Sequence, residues 1–270
     1  MFSVCTILYG YYFHLGEKLL SSLERNAHVK DFRIGLNAVC ERTLDYVHGW
    51  AANNMAAQPI FLFQEEGNSN VGKYPLMRQM FRFPEIGKQI MWFDDDSYLD
   101  AAAGTAWWDG AKNCAKRHTQ VGAVHTIMQR GKQFEAIAQQ PWYNRKPVNS
   151  RHRFRFATGG WWTAKSEFLA TWDYPFLDIH HNGGDSMLGE LIRQRNGSIG
   201  SYAGGMQCHC ESCSRRGISY GKPVVHINVG GRAGRRGIGV KGEKYVWSDG
   251  LTSQPATHQN FNLKVYRYEV

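Results

Sequence analysis

No run of apolar residues approaches the roughly 18 that a bilayer span needs, and the first twenty positions lack a basic leader and carry Gly10, His14 and Glu17 within their apolar part. That opening reads as a first strand and helix rather than a secretory signal, so the sequence predicts a soluble, cytoplasmic protein, in the host cytoplasm if it is phage-encoded. Cysteine is scarce: Cys5, Cys40, Cys114, Cys208, Cys210 and Cys213 are too few and too scattered for a disulfide framework, and reduced thiols are expected. No internal repeat and no clear linker divides the chain, which is expected to form one domain over residues 1–270 with a basic, Gly/Arg-rich part from about residue 205. Acidic residues are missing where basic ones gather. Residues 145–155 hold Arg145, Lys146, Arg151, Arg153 and Arg155 with no acid, and residues 214–244 set eight basic side chains against Glu243. These two segments more than account for the net charge of +9 and point to a polyanionic partner.

A hydrophobic content of 43% with 13% aromatics excludes a disordered chain. Short β-rich runs at 2–9, 32–36, 59–63 and 90–93 alternate with helical apolar spacing at 15–23, 43–50 and 75–83. That alternation predicts an α/β protein with right-handed crossovers and a mostly parallel central sheet flanked by helices. Further on, helices are expected at 101–113, 166–172 and 186–195, strands at 121–128, 199–203 and 224–229, and a loop at 180–185.

The fourth strand runs from Ile90 to Phe93 into Asp94, Asp95 and Asp96. Side chains of an extended chain alternate, so Asp94 and Asp96 share a face and Asp95 points the other way. Two same-facing carboxylates repel and call for a cation, and a hard ion such as Mg²⁺ or Mn²⁺ suits them. The same residues also suit a helix N-cap. The position favours a site, since open α/β sheets take ligands beyond the carboxyl ends of their strands. Cys208, His209, Cys210 and Cys213 raise a second possibility, a structural Zn²⁺ on three closely spaced thiolates, although the motif lacks a second half.

Taken in order, FSVCTILYG, NSNVGKYPLMRQMF, FDDDS, ATGGWWTAKSEFL and GGDSMLGELIRQR resemble the GT-A fold glycosyltransferases, nucleotide-sugar enzymes with a Rossmann-like sheet and a DxD motif. The resemblance covers roughly residues 2–231 and implies metal-dependent transfer of a sugar from a nucleoside-diphosphate donor, UDP-sugar being favoured, to a hydroxyl group. It implies that Asp94 and Asp96 hold Mn²⁺ or Mg²⁺, with His226 completing the shell. Donor binding would fall to Tyr9, Gly10, Asn37, Asn70, Lys73, Arg78, Asp94, Asp95, Gly159, Gly160 and Trp161. Only one of the adjacent Trp161 and Trp162 could stack on a sugar ring, since neighbours on a strand face opposite ways. Asp185 resembles the base of inverting members; it could equally cap the helix that follows, and Glu190 is the runner-up. For the acceptor, the basic segments with Phe154, Phe156 and Tyr220 favour nucleic acid, specifically a hydroxymethylpyrimidine in bacteriophage DNA. A cell-surface glycan or lipid-linked acceptor is the alternative, and a non-catalytic nucleic-acid-binding protein would leave the three aspartates unexplained.

Overall fold

The computed structural model describes residues 1–24, 27–99, 104–128, 135, 137–144, 153–176, 179–181, 184–202, 206–208, 224–226, 239–240 and 261–270. Strand and helix alternate through β1 (Phe2–Tyr9), α1 (Phe13–Leu23), β2 (Val29–Asn37), α2 (Glu41–Asn54), β3 (Ile60–Glu65), α3 (Lys73–Arg82) and β4 (Gln89–Asp94). Next come β5 (Ser97–Leu99), α4 (Gly104–Arg117), β6 (Gln120–Met128), β7 (Arg153–Lys165), α5 (Ser166–Thr171), β8 (Ile179–His181), α6 (Gly184–Gln194) and β9 (Ile199–Ser201). Short strands β10 (Met206–Cys208), β11 (Val224–His226) and β12 (Gly239–Val240) precede the last strand, β13 (Leu263–Tyr268).

The central sheet has eight strands in the order β13-β3-β2-β1-β4-β7-β6-β9. β1, β2, β3 and β4 pair in parallel, as the strand–helix alternation predicts, while β7 and β13 run against their neighbours. Two smaller sheets, β10-β11-β5 and β12-β8, lie outside it. No helix among the described residues is long and apolar enough to cross a membrane.

Both faces of the sheet are covered, and strand alternation divides the core accordingly. Phe2, Val4, Leu8, Met91, Phe93 and Trp161 belong to the cluster under α1, α2 and α4. Cys5, Ile7, Ile90, Trp92 and Trp162 belong to the other, with Leu76, Met77 and Met80 of α3 and Met187, Leu188 and Leu191 of α6. Trp92 and Trp162 stack across the strand pair at 6.0 Å. On α6, a Cβ at Gly189 would stand 2.3 Å from the Arg155 carbonyl oxygen and 2.6 Å from Phe156 Cβ, so the helix lies directly on β7. Gly189→Ala is expected to cost about 1–3 kcal/mol through overpacking, read as a lower urea midpoint at constant slope. An unchanged midpoint would contradict so close an approach.

The structure revises some sequence expectations. Gly159 and Gly160, for which no regular element was expected, lie in the middle of the 13-residue β7. Residues 180–185, expected as a loop, include the end of β8 and the first turn of α6. The sequence reading passed over β13, an edge strand beside β3. Of the Gly/Arg-rich segment 230–242, only Gly239 and Val240 are described, paired with β8.

Candidate active site

The parallel strands β1, β2 and β4 end on one edge of the sheet, where the chain must leave each strand and turn. Gly10, at φ +62°, makes the first of these turns. Its N–H reaches the Asn37 carbonyl at 3.3 Å and its own carbonyl accepts from the Cys40 N–H at 3.2 Å, tying the end of β1 to the end of β2. Asn37 and Asn70 are buried and bonded to each other at 3.0 Å. Asn37 Oδ1 accepts from the Val71 N–H, Asn70 Oδ1 from the Gly72 N–H, and Asn70 Nδ2 donates to the Tyr9 hydroxyl. These amides, expected at the donor, are bonded to the loop that carries Lys73. Asn68 assists by bonding both the N–H and the carbonyl of Val39.

Charge gathers where β4 meets the first turns of α3 and α6. Lys73, the first residue of α3, donates to Asp94 Oδ1 at 2.7 Å, and the Trp92 indole donates to the same oxygen at 2.8 Å. Burial alone would lower the Lys73 pKa, but Asp94 and Asp185 outweigh it and raise it, so the ammonium stays charged. For Asp185, burial is the largest influence and pushes the carboxyl up to about 7, with Asp94 adding to the rise and Lys73 opposing it. That value puts a base near its working range at neutral pH. Burial also raises the Tyr174 hydroxyl, with Tyr74 and Asp185 contributing.

Tyr74 holds this geometry together. Its hydroxyl accepts from the Gly184 N–H at 3.1 Å, satisfying a donor that the start of α6 would leave bare. A Cβ on Gly184 would stand 2.3 Å from that ring, so glycine is what lets α3 and α6 meet. Asp185 is therefore inside the first turn of α6, not the residue capping it. The runner-up base, Glu190, is 1% exposed and held by Arg193 at 2.9 Å and Gln194 at 2.9 Å, which leaves Asp185 as the carboxylate in the electrostatic group.

Other predicted residues are placed elsewhere. Arg78 is buried and bonds the Asp173 and Pro175 carbonyls and the Asp173 carboxylate, so it braces a turn instead of facing a phosphate. Trp161 and Trp162 are 0% and 1% exposed, so neither stacks on a sugar: the two faces of the sheet are both covered, and each tryptophan fills one core. Phe93 pairs with Trp161, which puts Gly160 one step further along, level with Asp94. Asp95 is buried and Asp96 half-buried in the turn between β4 and β5. The His226 backbone pairs with Ser97 on one side and Cys208 on the other, next in sequence to Asp96. Cys210 and Cys213 lie outside the described residues, among which no three His, Cys, Asp or Glu side chains form a metal-binding group. A separate open cavity of about 650 Å³, lined by Lys165, Trp172, Gln194 and Arg195, sits at the opposite end of the sheet. Trp92 and Tyr74 are the residues that sequence reasoning missed; Trp92 was accessible to it, being two positions before Asp94 and so on the same face.

The strand order, the covered parallel strands and the acidic carboxyl end of β4 define the Rossmann-like GT-A fold. Solved structures similar to this chain include a mannosyltransferase of Pyrobaculum calidifontis in complex with GDP-Man and Mn²⁺, at 16% identity and a TM-score of 0.50 over 73% of this chain and 54% of that one. Another is residues 1–349 of S. aureus TarS, at 13% identity and a TM-score of 0.52 over 84% of this chain and 60% of that one. The chain thus spans less than two thirds of either structure. No protein-family model and no curated protein matches the sequence.

Proposed function

We propose that the protein is a metal-dependent glycosyltransferase that moves a sugar from a nucleoside-diphosphate donor, UDP-sugar first among them, to a hydroxyl acceptor with inversion. The observation that carries this reading is the Lys73–Asp94 ion pair at the carboxyl edge of the parallel strands, with the first turn of α6, which holds Asp185, tied to Tyr74 next to Lys73. The donor set suits the ion: Asp94 and Asp96 offer only oxygen, and Mg²⁺ or Mn²⁺ characteristically takes one or two carboxylates and fills its shell with phosphate and water. When bound, the ion supplies Lewis-acid stabilisation of the departing diphosphate. Asp185 accepts the proton of the acceptor hydroxyl as its oxygen bonds to the anomeric carbon, and the bond from that carbon to the diphosphate oxygen breaks on the opposite side. Lys73 contributes a fixed positive charge near the phosphates. Asn37, Asn70 and Tyr9 hold the loop that carries it. The pairing of the His226 backbone with Ser97, the residue after Asp96, supports His226 as a further ligand of the ion.

The acceptor proposed is a polyanion, with hydroxymethylpyrimidine in DNA as its form, on the strength of the net charge and the two basic segments. Of the first segment Arg155 is exposed on β7; most of both segments lies outside the described residues. The test is transfer of labelled sugar from a panel of nucleotide sugars with Mn²⁺, using hydroxymethylated duplex DNA, unmodified DNA and lipid-linked glycan as acceptors. The expected result is labelling of hydroxymethylated DNA only, weakening steeply with salt, and its loss in Asp96→Ala with the fold retained. Labelling of the glycan alone would replace the DNA acceptor, and full turnover by Asp96→Ala would remove the metal.

A further inference from the structure

The Lys73–Asp94 pair has a consequence for how ligands enter, which rests on the metal-dependent reading above. We infer that Lys73 is a resident counter-cation that couples the two ligands of the site, opposing a divalent ion that arrives alone and favouring one that arrives with a diphosphate.

Asp94 Oδ1 already accepts from an ammonium at 2.7 Å and an indole at 2.8 Å. The carboxylate's charge is thus answered before any ion arrives. A divalent ion at Asp94 and Asp96 must displace the ammonium, forfeiting a charge-assisted hydrogen bond, or sit beside it against the repulsion of two cations. In either case Lys73 lowers the ion's affinity. The ammonium is also confined, 5.2 Å from the Trp92 ring and 5.8 Å from the Tyr74 ring, at the fixed first position of α3. Its side chain and that of Asp94 are each 21% exposed, so the pair is partly screened but within reach of an incoming ligand. A diphosphate reverses the balance. Its negative charges give the ammonium a second partner and compensate the excess of positive charge, so each ligand tightens the other, and the coupling must be reciprocal.

Two titrations test this. Mn²⁺ is titrated into the full chain, without and with saturating UDP, and UDP is titrated without metal, for the wild type, Lys73→Met and Lys73→Gln; GDP replaces UDP if UDP does not bind. Relative to wild type, Lys73→Met is expected to bind Mn²⁺ alone about tenfold tighter and UDP alone about tenfold weaker, the scale of one charge-assisted hydrogen bond. The gain in Mn²⁺ affinity caused by UDP should shrink by a similar factor. Mn²⁺ affinity unchanged or weaker in both variants would overturn the inference. So would loss of the near-ultraviolet tryptophan signal in both, which would make Lys73 a structural tie. A wild type that binds nucleotide but no Mn²⁺ in any condition removes the metal reading and this inference with it, whereas tight, coupled binding without sugar transfer removes only the proposed reaction.

Discussion

Asp185→Asn is expected to lower sugar transfer by about 10²–10⁴-fold, the usual contribution of a positioned general base, while making the protein more stable above neutral pH. The two effects share one cause. Burial raises the Asp185 carboxyl to about 7, so in the folded chain it is protonated at pH 5 and ionised at pH 8. An unfolded aspartate loses its proton near pH 4. Between these values the folded state holds the extra proton, and stability conferred by the neutral acid falls as pH rises from about 4 to about 7, then levels off. Asparagine never ionises, so the variant should show no such decline. Urea midpoints of wild type and variant are therefore expected to converge near pH 4 and diverge by pH 8 in favour of the variant. The rate has the opposite dependence: wild-type turnover should rise through about pH 7 as the base ionises, and the residual rate of Asp185→Asn should be flat there. Equal turnover in the two proteins would remove Asp185 as the base. An unaltered pH dependence of stability would show instead that the carboxyl is better solvated than its surroundings imply.

The sheet was legible because its signal is strong and local: an apolar run buried on both faces ends abruptly in carboxylates at Asp94, and strands alternate with helical spacing before it. β13 escaped because an edge strand is half exposed and carries charges such as Lys264 and Arg267, which blunt the apolar signal. At the site, Asp94 and Lys73 could be nominated separately, but their 2.7 Å contact joins positions 21 residues apart, and no periodicity reports that. Burial decided the rest. Trp161 and Arg78 have the right chemistry for sugar and phosphate, yet one fills the core and the other braces the turn at Asp173. A side chain's type states what it can bind; only packing states what it meets. Asn37 and Asn70 show it too: no periodicity reports that they bond each other and the Val71 and Gly72 N–H groups.

Arg33→Met is expected to destabilise the protein by about 3–5 kcal/mol, the cost of stranding one member of a buried ion pair. Against a total stability of about 5–15 kcal/mol, that is a large fraction. Arg33 is 0% exposed on β2 and each of its three guanidinium nitrogens donates. Nε donates to Asp31 Oδ1 at 2.9 Å, Nη1 to the Met80 and Phe83 carbonyls at 2.8 Å each, and Nη2 to the Pro84 carbonyl at 2.8 Å. The plane lies near the rings of Phe61 and Phe83, at 5.7 and 5.6 Å. Met80 and Phe83 are at the end of α3, so these bonds satisfy carbonyls that a helix terminus leaves open. Methionine fills much of the volume but donates nothing. Asp31 would keep the Ser3 hydroxyl at 2.9 Å, and its nearest remaining cation, Lys30, lies 4.0 Å away and is partly exposed. Adding Asp31→Asn removes the stranded charge, so the double variant should recover part of the loss; the three bare carbonyls account for what stays lost. Additive single effects would show that the ion pair itself contributes nothing. Because α3 carries Lys73 at its other end, Arg33→Met should also weaken nucleotide binding under conditions where the variant is fully folded, and unchanged affinity there would show that Tyr74 and its bond to Gly184 suffice to fix that end of the helix.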